Sequence, residues 1–421
     1  MKKALFLALG LAVLALSGVP AQGKITVMFQ ATGAESDAFK TLFDRFTKDT
    51  GIKVEPMFIP HDTYFEKFSA AVASKRVADV MQLDAPFLAN FVWNGYLSPL
   101  QGMIDQKILD DLTPSSVYQG TYPIDGRLYA LGNNDSTVLL YGSRKLLKAA
   151  GIRIPTGIKD AWTKAEFNDA LAKLAKQPGV KWPLDIFRAY GVKTEWATYA
   201  FQPIFESFGG KLIDPKSWKA KGALDSPESV AAATEIQSWV KKDWVVPASS
   251  GTNALFRDKD KAAIAWGGHW VWAEAYPVMK DDLVAMPLPN FGKGVKSPNG
   301  TWIWAITKSS RNPKAAAKFL EYLAKDKQLI KESPGTFPGM KSAAALTPIY
   351  TDPKLMKVAF DQSNVAVPRP VYPGYPVLTA SFQVAFDNIL SGADPKTELG
   401  KAAAAIDQDG ADNDGYPPFG E

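Results

Sequence analysis

Strand patterns and helix patterns alternate along the first part of the chain. Residues 25–29, 52–59 and 79–84 are rich in β-branched, aromatic and other apolar side chains, which is typical of buried strands. Between them, residues 39–46 and 64–72 repeat their apolar side chains every three to four positions, as helices with one buried face do. Strands joined by helices form right-handed βαβ units, so this order predicts an α/β fold with a parallel sheet.

Two carboxylates lie where such a sheet would bind a ligand. Ligands of parallel sheets bind beyond the carboxyl ends of the strands. Glu35 and Asp84 both follow the predicted end of a strand. Their position makes both residues candidates for a binding site.

The amino terminus has the pattern of a secretory signal peptide. Lys2 and Lys3 precede 13 apolar residues, 4–16, and Val19-Pro20-Ala21 fits a small-x-small cleavage site. We therefore expect residues 1–21 to be removed and the mature protein to be soluble in a bacterial periplasm. The chain contains no cysteine, so we expect neither a disulfide nor a lipid anchor on an amino-terminal cysteine.

Composition and motifs exclude several classes of function. The formal charge of +5 falls to +3 when Lys2 and Lys3 are removed, which is too near neutral for a nucleic-acid-binding protein. The two histidines, His61 and His269, and the absence of cysteine exclude a histidine–cysteine zinc site and disfavour a Ser-His-Asp triad. No nucleotide-binding or metalloprotease motif is present, so we expect no metal and no cofactor.

The carboxylates allow two kinds of chemistry. Two of Glu35, Asp84 and Asp135 could form the acid and nucleophile, or base, of a glycosidase. Alternatively, they could accept hydrogen bonds from the hydroxyls of a neutral polyol, each worth about 1.5–3 kcal/mol. The residues by themselves leave both possibilities open.

Tryptophan and glycine occur together in two segments, residues 266–272 and 299–304. A flat aromatic ring can cover the apolar face of a pyranose, and glycine lets the backbone turn or approach a ligand closely. Because glycine-rich turns precede Trp270 and Trp302, we expect these two rings to face a ligand, with Trp196 as a weaker third candidate. Their near neighbours, Trp272 and Trp304, are expected to pack in the core.

A series of short motifs spans nearly all of the mature chain in a specific order: residues 78–84, 129–147, 195–201, 208–210, 267–270, 300–306, 312–316 and 368–373. Through these motifs the chain resembles the extracellular solute-binding proteins of sugar ABC importers, of the maltose/trehalose-binding type. The resemblance implies two α/β lobes, each with a central sheet flanked by helices. The two lobes would be joined by a hinge and close on a ligand.

The resemblance also implies how the chain divides between the lobes. Residues 22–134 and 283–334 would form the amino-terminal lobe, and residues 135–282 and 335–421 the carboxy-terminal lobe. Hinge crossings are expected near residues 133–135, 282–283 and 333–336. Two later strand patterns, residues 283–286 and 303–306, are predicted to return to the first sheet, and the acidic tail at residues 407–421 is expected to fray.

By position, the resemblance places seven residues in the cleft: Glu35, Asp84, Asp135, Trp270, Gly300, Trp302 and Arg369. The guanidinium of Arg369 could bind two hydroxyls, or the carboxylate of an acidic sugar. The chain departs from the family pattern at His269, where proline is common, and at Asn133-Asn134, where aromatic residues are frequent. These departures leave the identity of the sugar open.

The sequence therefore predicts a periplasmic carbohydrate-binding protein without enzymatic activity. It would capture a di- or oligosaccharide between its lobes and deliver it to the membrane permease of an ABC importer, and it would act as a monomer. Two other functions remain open at this point. One is an exported carbohydrate-active enzyme, and the other is a binding protein for a non-sugar solute such as a polyamine.

Overall fold

The computed structural model describes most of the chain, namely residues 23–31, 33–60, 63–73, 77–191, 194–251, 254–256, 262–300, 302–332, 337–346 and 356–417. The predicted signal peptide, His61 and the predicted crossing at residues 333–336 lie outside these residues. The side chain of Glu35 also lies outside the described part of the chain, so its predicted role stays a prediction.

The strands are β1 Lys24–Phe29, β2 Lys53–Phe58, β3 Val80–Asp84, β4 Ala130–Gly132, β5 Asn134–Asp135, β6 Val138–Ser143, β7 Trp182–Asp185, β8 Ala262–Gly268, β9 Leu283–Met286, β10 Ser297–Asn299, β11 Trp302–Ile306, β12 Phe337–Pro338 and β13 Ala366–Pro368. The helices of the amino-terminal half are α1 Gly33–Thr50, α2 Tyr64–Ala73, α3 Leu88–Trp93, α4 Gln106–Asp111, α5 Pro114–Gly120, α6 Arg144–Ala149, α7 Lys164–Leu174 and α8 Trp196–Phe208. The later helices are α9 Pro227–Lys241, α10 Val271–Met279, α11 Pro313–Lys325, α12 Lys327–Glu332, α13 Lys357–Ser363, α14 Tyr375–Leu390 and α15 Pro395–Asp412.

The first lobe is built on a sheet of order β2-β1-β3-β11-β4. Strands β1, β2 and β3 are parallel, as the alternating pattern predicts, and β11 runs antiparallel to β3 and β4. One face buries the aromatic side of α1 and α11, where Phe39 and Phe319 pack against Trp304. The i, i+3, i+4, i+7 spacing of α1 thus produces the core that orients β3 and β11.

The second lobe is built on a sheet of order β7-β8-β6-β9. Strand β9 pairs with β6, with Tyr141 opposite Ala285. The prediction that residues 283–286 return to the first sheet is therefore wrong, whereas the same prediction for residues 303–306 is confirmed by β11. A four-residue apolar strand fits either sheet locally, and only long-range pairing selects one of them.

The described residues show where the chain passes from one sheet to the other. The first passage lies between β4 and β6, as expected for residues 133–135. The second follows Met286, after β9, rather than residues 282–283. Farther along the chain, Met340 and Ala343 pack in the core of the first lobe, whereas α13 contacts β9 of the second. Two short ladders, β5 with β12 and β10 with β13, lie in these connecting segments.

The carboxy-terminal segment packs against α3 of the first lobe. The ring of Trp93 lies 5.0 Å from that of Tyr416, and the amide of Asn90 donates to the carbonyl of Pro373 at 2.8 Å. The expectation of a frayed tail is wrong for residues 407–417, because α15 continues to Asp412 and Tyr416 is buried. Asp409 accepts a hydrogen bond from the hydroxyl of Tyr416, and Asp407 accepts one from the backbone N–H of Ala220 at 2.7 Å.

Candidate functional site

The site begins at the carboxyl end of β3. Asp84 is the last residue of this strand and lies directly opposite Trp302, the first residue of β11, in the antiparallel pairing. Residues directly opposite each other in an antiparallel pair carry neighbouring side chains. The sheet thus brings together a carboxylate and an indole that are more than 200 residues apart in the sequence.

The guanidinium of Arg369 forms a fork with Asp84. Nη2 lies 2.5 Å from Oδ1 of Asp84, and Nη1 lies 2.8 Å from Oδ2. The side chain of Arg369 is almost fully buried, with 4% of its surface exposed. Burial alone would lower the pKa of Arg369, but the carboxylates of Asp84 and Glu195 outweigh it and raise this pKa well above its usual value. The pair is a buried, charge-assisted contact between the end of β3 and the segment that precedes α14.

Glu195 holds the other side of this guanidinium. Its Oε2 accepts hydrogen bonds from Nη1 of Arg369 and from the hydroxyl of Tyr375, both at 2.7 Å. Its Oε1 accepts from Thr379 at 2.5 Å and from Gln383 at 3.4 Å. Burial raises the pKa of Glu195, and Arg369 opposes this shift. Because four donors converge on two oxygens, the geometry fits the ionised carboxylate.

Glu195 was not a predicted site residue. It stands at the amino-terminal end of α8, where an acidic residue normally has a role in helix capping, but its side chain makes no capping hydrogen bond. The signal for its role was its place in the motif at residues 195–201. That signal did not identify Arg369, 174 residues away, as its partner.

An aromatic group lies on the second-lobe side of Arg369. The guanidinium carbon lies 5.2 Å from the ring centre of Tyr199, and Tyr199 in turn stacks on Trp270 at 6.3 Å. The indole N–H of Trp270 donates to the hydroxyl of Tyr190 at 3.3 Å. A Cβ at position 268 would lie 2.2 Å from the indole of Trp270, so Gly268 is required for this ring position. Tyr190 and Tyr199 were not predicted, since their rings could equally have been core residues.

Asp135 anchors a polar group at the first crossing between the lobes. Burial raises the pKa of its carboxyl, and hydrogen bonds from Ser115, Gln119 and the backbone of Ser136 and Gly300 oppose this shift. The backbone N–H of Ser136 donates to Oδ1 of Asp135 at 2.7 Å. Asp135 is therefore already bonded by protein donors from α5 and from the crossing segments.

The same group sets the orientation of Asn299. The hydroxyl of Ser115 donates its proton to Asp135, so its oxygen must accept from the side-chain amides of Asn299 at 2.6 Å and Gln119 at 2.8 Å. The amide nitrogen of Asn299 thus faces Ser115, and its Oδ1 faces away. This Oδ1 and Nε of Arg369 are buried and have no hydrogen-bond partner among the described residues.

Gly300 is needed for space. A Cβ at this position would lie 2.8 Å from Nη2 of Arg369 and 3.3 Å from the ring of Tyr199. Its carbonyl accepts a hydrogen bond from the hydroxyl of Ser136, which also lies 2.7 Å from the hydroxyl of Tyr199. Glycine at this position thus lets Ser136 of the first crossing, Tyr199 of α8 and Arg369 approach the same backbone segment.

Apart from Glu35, whose side chain lies outside the described part of the chain, the predicted site residues lie near one another, with differences among the tryptophans. Trp270 and Trp302 are partly buried, whereas Trp272 and Trp304 are buried in the core as expected. Trp302 packs edge-on against Tyr64, with ring centres 5.3 Å apart. Trp196 is also buried, and its indole N–H donates to the carbonyl of Ile186 at 2.9 Å. Its ring packs against those of Tyr199 and Trp270.

His269 is buried beside this group and behaves as a hydrogen-bond acceptor. Its Nδ1 accepts from the backbone N–H of Thr137 at 3.4 Å. Burial lowers the pKa of His269 to about 4, so the imidazole is neutral at ordinary pH. His269 therefore serves here as a neutral hydrogen-bonding residue.

A narrow recess at this meeting point has no room for a water molecule and is lined by Ala85, Pro86, Gln119, Asn299, Gly300, Pro368, Arg369 and Val371. Typical ligand pockets measure about 300–1,000 Å³. A sugar can therefore enter only if the lobes separate at the connecting segments and the contacts across the recess open.

Two further observations concern the described part of the chain, one on metal-binding groups and one on its helices. No group of three or more His, Asp or Glu residues is arranged there to hold a metal ion. None of its helices combines the length and apolar character needed to cross a membrane.

The sequence profile of the bacterial extracellular solute-binding proteins matches residues 31–330. The chain belongs to this family. The maltodextrin-binding protein of Bacillus subtilis is 24% identical over 341 residues, which cover 76% of this solute-binding protein and 75% of the relative. The resemblance drawn from the order of the motifs is thus confirmed at the level of the family.

Solved structures share the fold of this solute-binding protein. An ABC transporter solute-binding protein from Thermotoga lettingae, bound with alpha-D-tagatose, has a TM-score of 0.79 at 23% identity and covers 92% of this chain and 99% of its own. The GacH receptor of Streptomyces glaucescens, solved unliganded and with acarbose, has a TM-score of 0.76 at 23% identity and covers 92% and 98%. These similarities confirm the predicted two-lobed α/β fold.

Proposed function

We propose that this solute-binding protein captures a sugar, of di- or oligosaccharide length, between its two lobes and delivers it to an ABC permease. The observation that carries the proposal is the meeting of carboxylates, one arginine and aromatic rings at the carboxyl end of β3. Asp84 and Trp302 approach from the first lobe, and Glu195, Tyr199 and Trp270 approach from the second. Similar proteins that bind maltodextrin or acarbose support the choice of a sugar.

The mechanism follows from the contacts across the recess. When the lobes separate, the carboxylate of Asp84 and the guanidinium of Arg369 become accessible to hydroxyls. When a sugar ring lies over Trp270 or Trp302, the indole covers the apolar face of the sugar. The hydroxyls of the sugar then replace part of the hydrogen bonding between the lobes. The ligand stabilises the closed form by the difference between its affinities for the closed and open forms.

A thermal-shift screen tests the class of ligand. Sugars, amino acids and polyamines are added separately to the mature protein, because a ligand that binds the folded state raises the unfolding temperature by mass action. The proposal expects a rise with at least one di- or oligosaccharide and none with amino acids. A rise only with non-sugar solutes would overturn it.

A polyamine is the second candidate, since carboxylates outnumber cations in the network. Asp84, Glu195 and Asp135 accompany a single Arg369 among the described residues. Carboxylates and aromatic rings also suit a ligand with several ammonium groups. Spermidine and putrescine in the same screen distinguish this candidate from a sugar.

We further propose that the protein does not turn over its ligand. The guanidinium of Arg369 lies between Asp84 and Glu195 and bonds both, which leaves neither carboxylate available as a proton donor. Incubation with di- and oligosaccharides followed by chromatography checks this point. Product formation at catalytic rates would favour the carbohydrate-active enzyme.

Localisation in a periplasm, as a free monomer without a lipid anchor, completes the proposal. The proposed location rests on the signal-peptide pattern of residues 1–21, and the proposed absence of a lipid anchor rests on the absence of cysteine. Intact-mass measurement of the exported protein should give the mass of residues 22–421 without an added lipid. Light scattering should give the mass of a monomer.

A further inference from the structure

The charge balance around Arg369 has a consequence for the kind of sugar that can bind. Arg369 is the only basic side chain in the described contact network, and both of its terminal nitrogens are bonded to carboxylates. Nη1 bonds Asp84 and Glu195, and Nη2 bonds Asp84. Two negative charges therefore face one positive charge, and Asp135 is near enough to act electrostatically on Tyr199, as Asp84 does.

The network also shows which residue creates the excess of negative charge. Asp84 alone would neutralise Arg369 in a forked pair. Glu195 adds the second carboxylate; burial raises its pKa, and the Arg369 guanidinium and the hydrogen bonds from Thr379 and Tyr375 oppose this shift. An acidic ligand would have to displace a carboxylate from Arg369 or lie next to it.

Two unpartnered buried atoms lead to the same conclusion independently. Nε of Arg369 is a donor and Oδ1 of Asn299 is an acceptor, and both residues line the recess. Hydroxyls can accept from the first atom and donate to the second. A carboxylate can only accept, so it would leave the Oδ1 of Asn299 facing another acceptor.

We propose that Glu195 is a charge-selecting residue: it positions Arg369 and, with Asp84, gives the cleft a net negative charge that admits neutral sugars and rejects uronic-acid sugars. The proposal rests on the sugar-binding function proposed above. Of the two ligand groups predicted for Arg369, the guanidinium would then bind hydroxyls and not the carboxylate of an acidic sugar. Rejection of a partner through like charges is a common source of specificity.

The test compares matched neutral and acidic ligands by isothermal titration calorimetry at low ionic strength. The pairs are maltotriose, mannotriose and galactotriose, each with the trisaccharide in which the primary alcohols are oxidised to carboxylates. The wild-type protein should bind at least one neutral member at least about tenfold more tightly than its acidic counterpart. Replacement of Glu195 by glutamine should reduce this ratio about tenfold, because the shape is kept and the charge is removed.

Two variants separate charge selection from a structural role. Tyr375→Phe removes one hydrogen bond to Glu195 without changing any charge, so it should leave the ratio of the two affinities unchanged. Glu195→Asp keeps the charge, so the discrimination should persist even if both affinities fall. If Glu195→Gln does not fold, as judged by circular dichroism, the wild-type ratio at high ionic strength serves instead, and it should be smaller than at low ionic strength.

Three results would overturn either the charge-selecting role of Glu195 or the proposed function. An acidic trisaccharide that binds the wild type as tightly as its neutral partner would overturn the charge-selecting role and leave the sugar-binding function intact. Equal weakening of both ligands in Glu195→Gln would show a structural role only and would also overturn the proposal. If none of the six ligands binds and the wider screen contains no sugar that does, the proposed function itself fails.

Discussion

Asp84 and Asp185 occupy the same position in their strands but have different surroundings. Each is the last residue of its strand, β3 in the first lobe and β7 in the second. Asp84 pairs with the guanidinium of Arg369. Asp185 is buried, and its carboxylate accepts hydrogen bonds from the backbone N–H groups of Phe187 at 2.8 Å and Ala254 at 3.1 Å. Position at a strand end therefore does not by itself decide which partners a carboxylate has.

The residues opposite them show the same contrast. Asp84 lies opposite Trp302 on β11, while Asp185 lies opposite Ala265 on β8. The first carboxylate has a cation and a large ring within reach, and the second has only backbone amides. What decides the role of such a carboxylate is thus the distant segment that meets it.

The largest expected effect is that of Asp84→Ala on binding. Removal of one member of a buried charge pair commonly costs several kcal/mol, so affinity for the sugar identified by the thermal-shift screen should fall about 100- to 1,000-fold. Calorimetry measures this loss. Asp185→Asn is the matched control at the other strand end and should change affinity by less than about threefold, since Asp185 touches no residue of the recess. Similar losses in both variants would contradict the distinction between the two carboxylates.

The second prediction concerns stability and pH at Asp185. Burial raises the pKa of Asp185 from 3.8 to about 6 in the folded protein. Between these values the folded state holds a proton that the unfolded state has lost, so this group's contribution to the free energy of unfolding is present below pH 3.8 and is lost as pH rises through about 6. The loss amounts to about 2–3 kcal/mol.

Asp185→Asn should remove this dependence. Urea unfolding between pH 4 and pH 7 should therefore show a flatter decline in the variant than in the wild type. Asp84→Asn provides the comparison, since its partner is a guanidinium that stays charged throughout this range. A parallel decline in the wild type and Asp185→Asn would show that Asp185 is not the titrating group.

The smallest expected effect is that of the ring opposite Asp84. Trp302→Ala should weaken sugar binding about tenfold to thirtyfold, because it removes one aromatic surface and leaves the charge network in place. Trp304→Phe is its control, since Trp304 is buried between Phe39 and Phe319. The control should lower the unfolding temperature with little change in affinity. Unchanged affinity in Trp302→Ala would remove Trp302 from the site.

Much of the first lobe was predictable because its signals are local. The spacing of Phe39, Leu42, Phe43 and Phe46 predicted α1, and the β-rich runs on either side predicted the parallel strands. Asp84 could be selected because strand ends and ligand sites coincide in such sheets. Trp270 and Trp302 could be distinguished from Trp272 and Trp304 by the glycines that precede them.

The failures occurred where a residue's role depends on a segment far away in the sequence. Strand β9 was assigned to the wrong sheet because four apolar residues suit either one. The tail at residues 407–417 was expected to fray, but Tyr416 finds an aromatic partner in Trp93 across the molecule. Glu195 had the sequence context of a helix-end residue, and Arg369 gives it a different role.

The sequence by itself therefore determined the α/β class, the family and the kinds of side chain at the site, since periodicity and motif order are properties of neighbouring residues. The tertiary structure alone decided which charges meet. Arg369 is bonded to Asp84, 285 residues away, and to Glu195, 174 residues away, and no local pattern encodes such a contact. Charge balance is a sum over residues that folding brings together, so the proposed preference for neutral sugars could be inferred only once these residues were in contact.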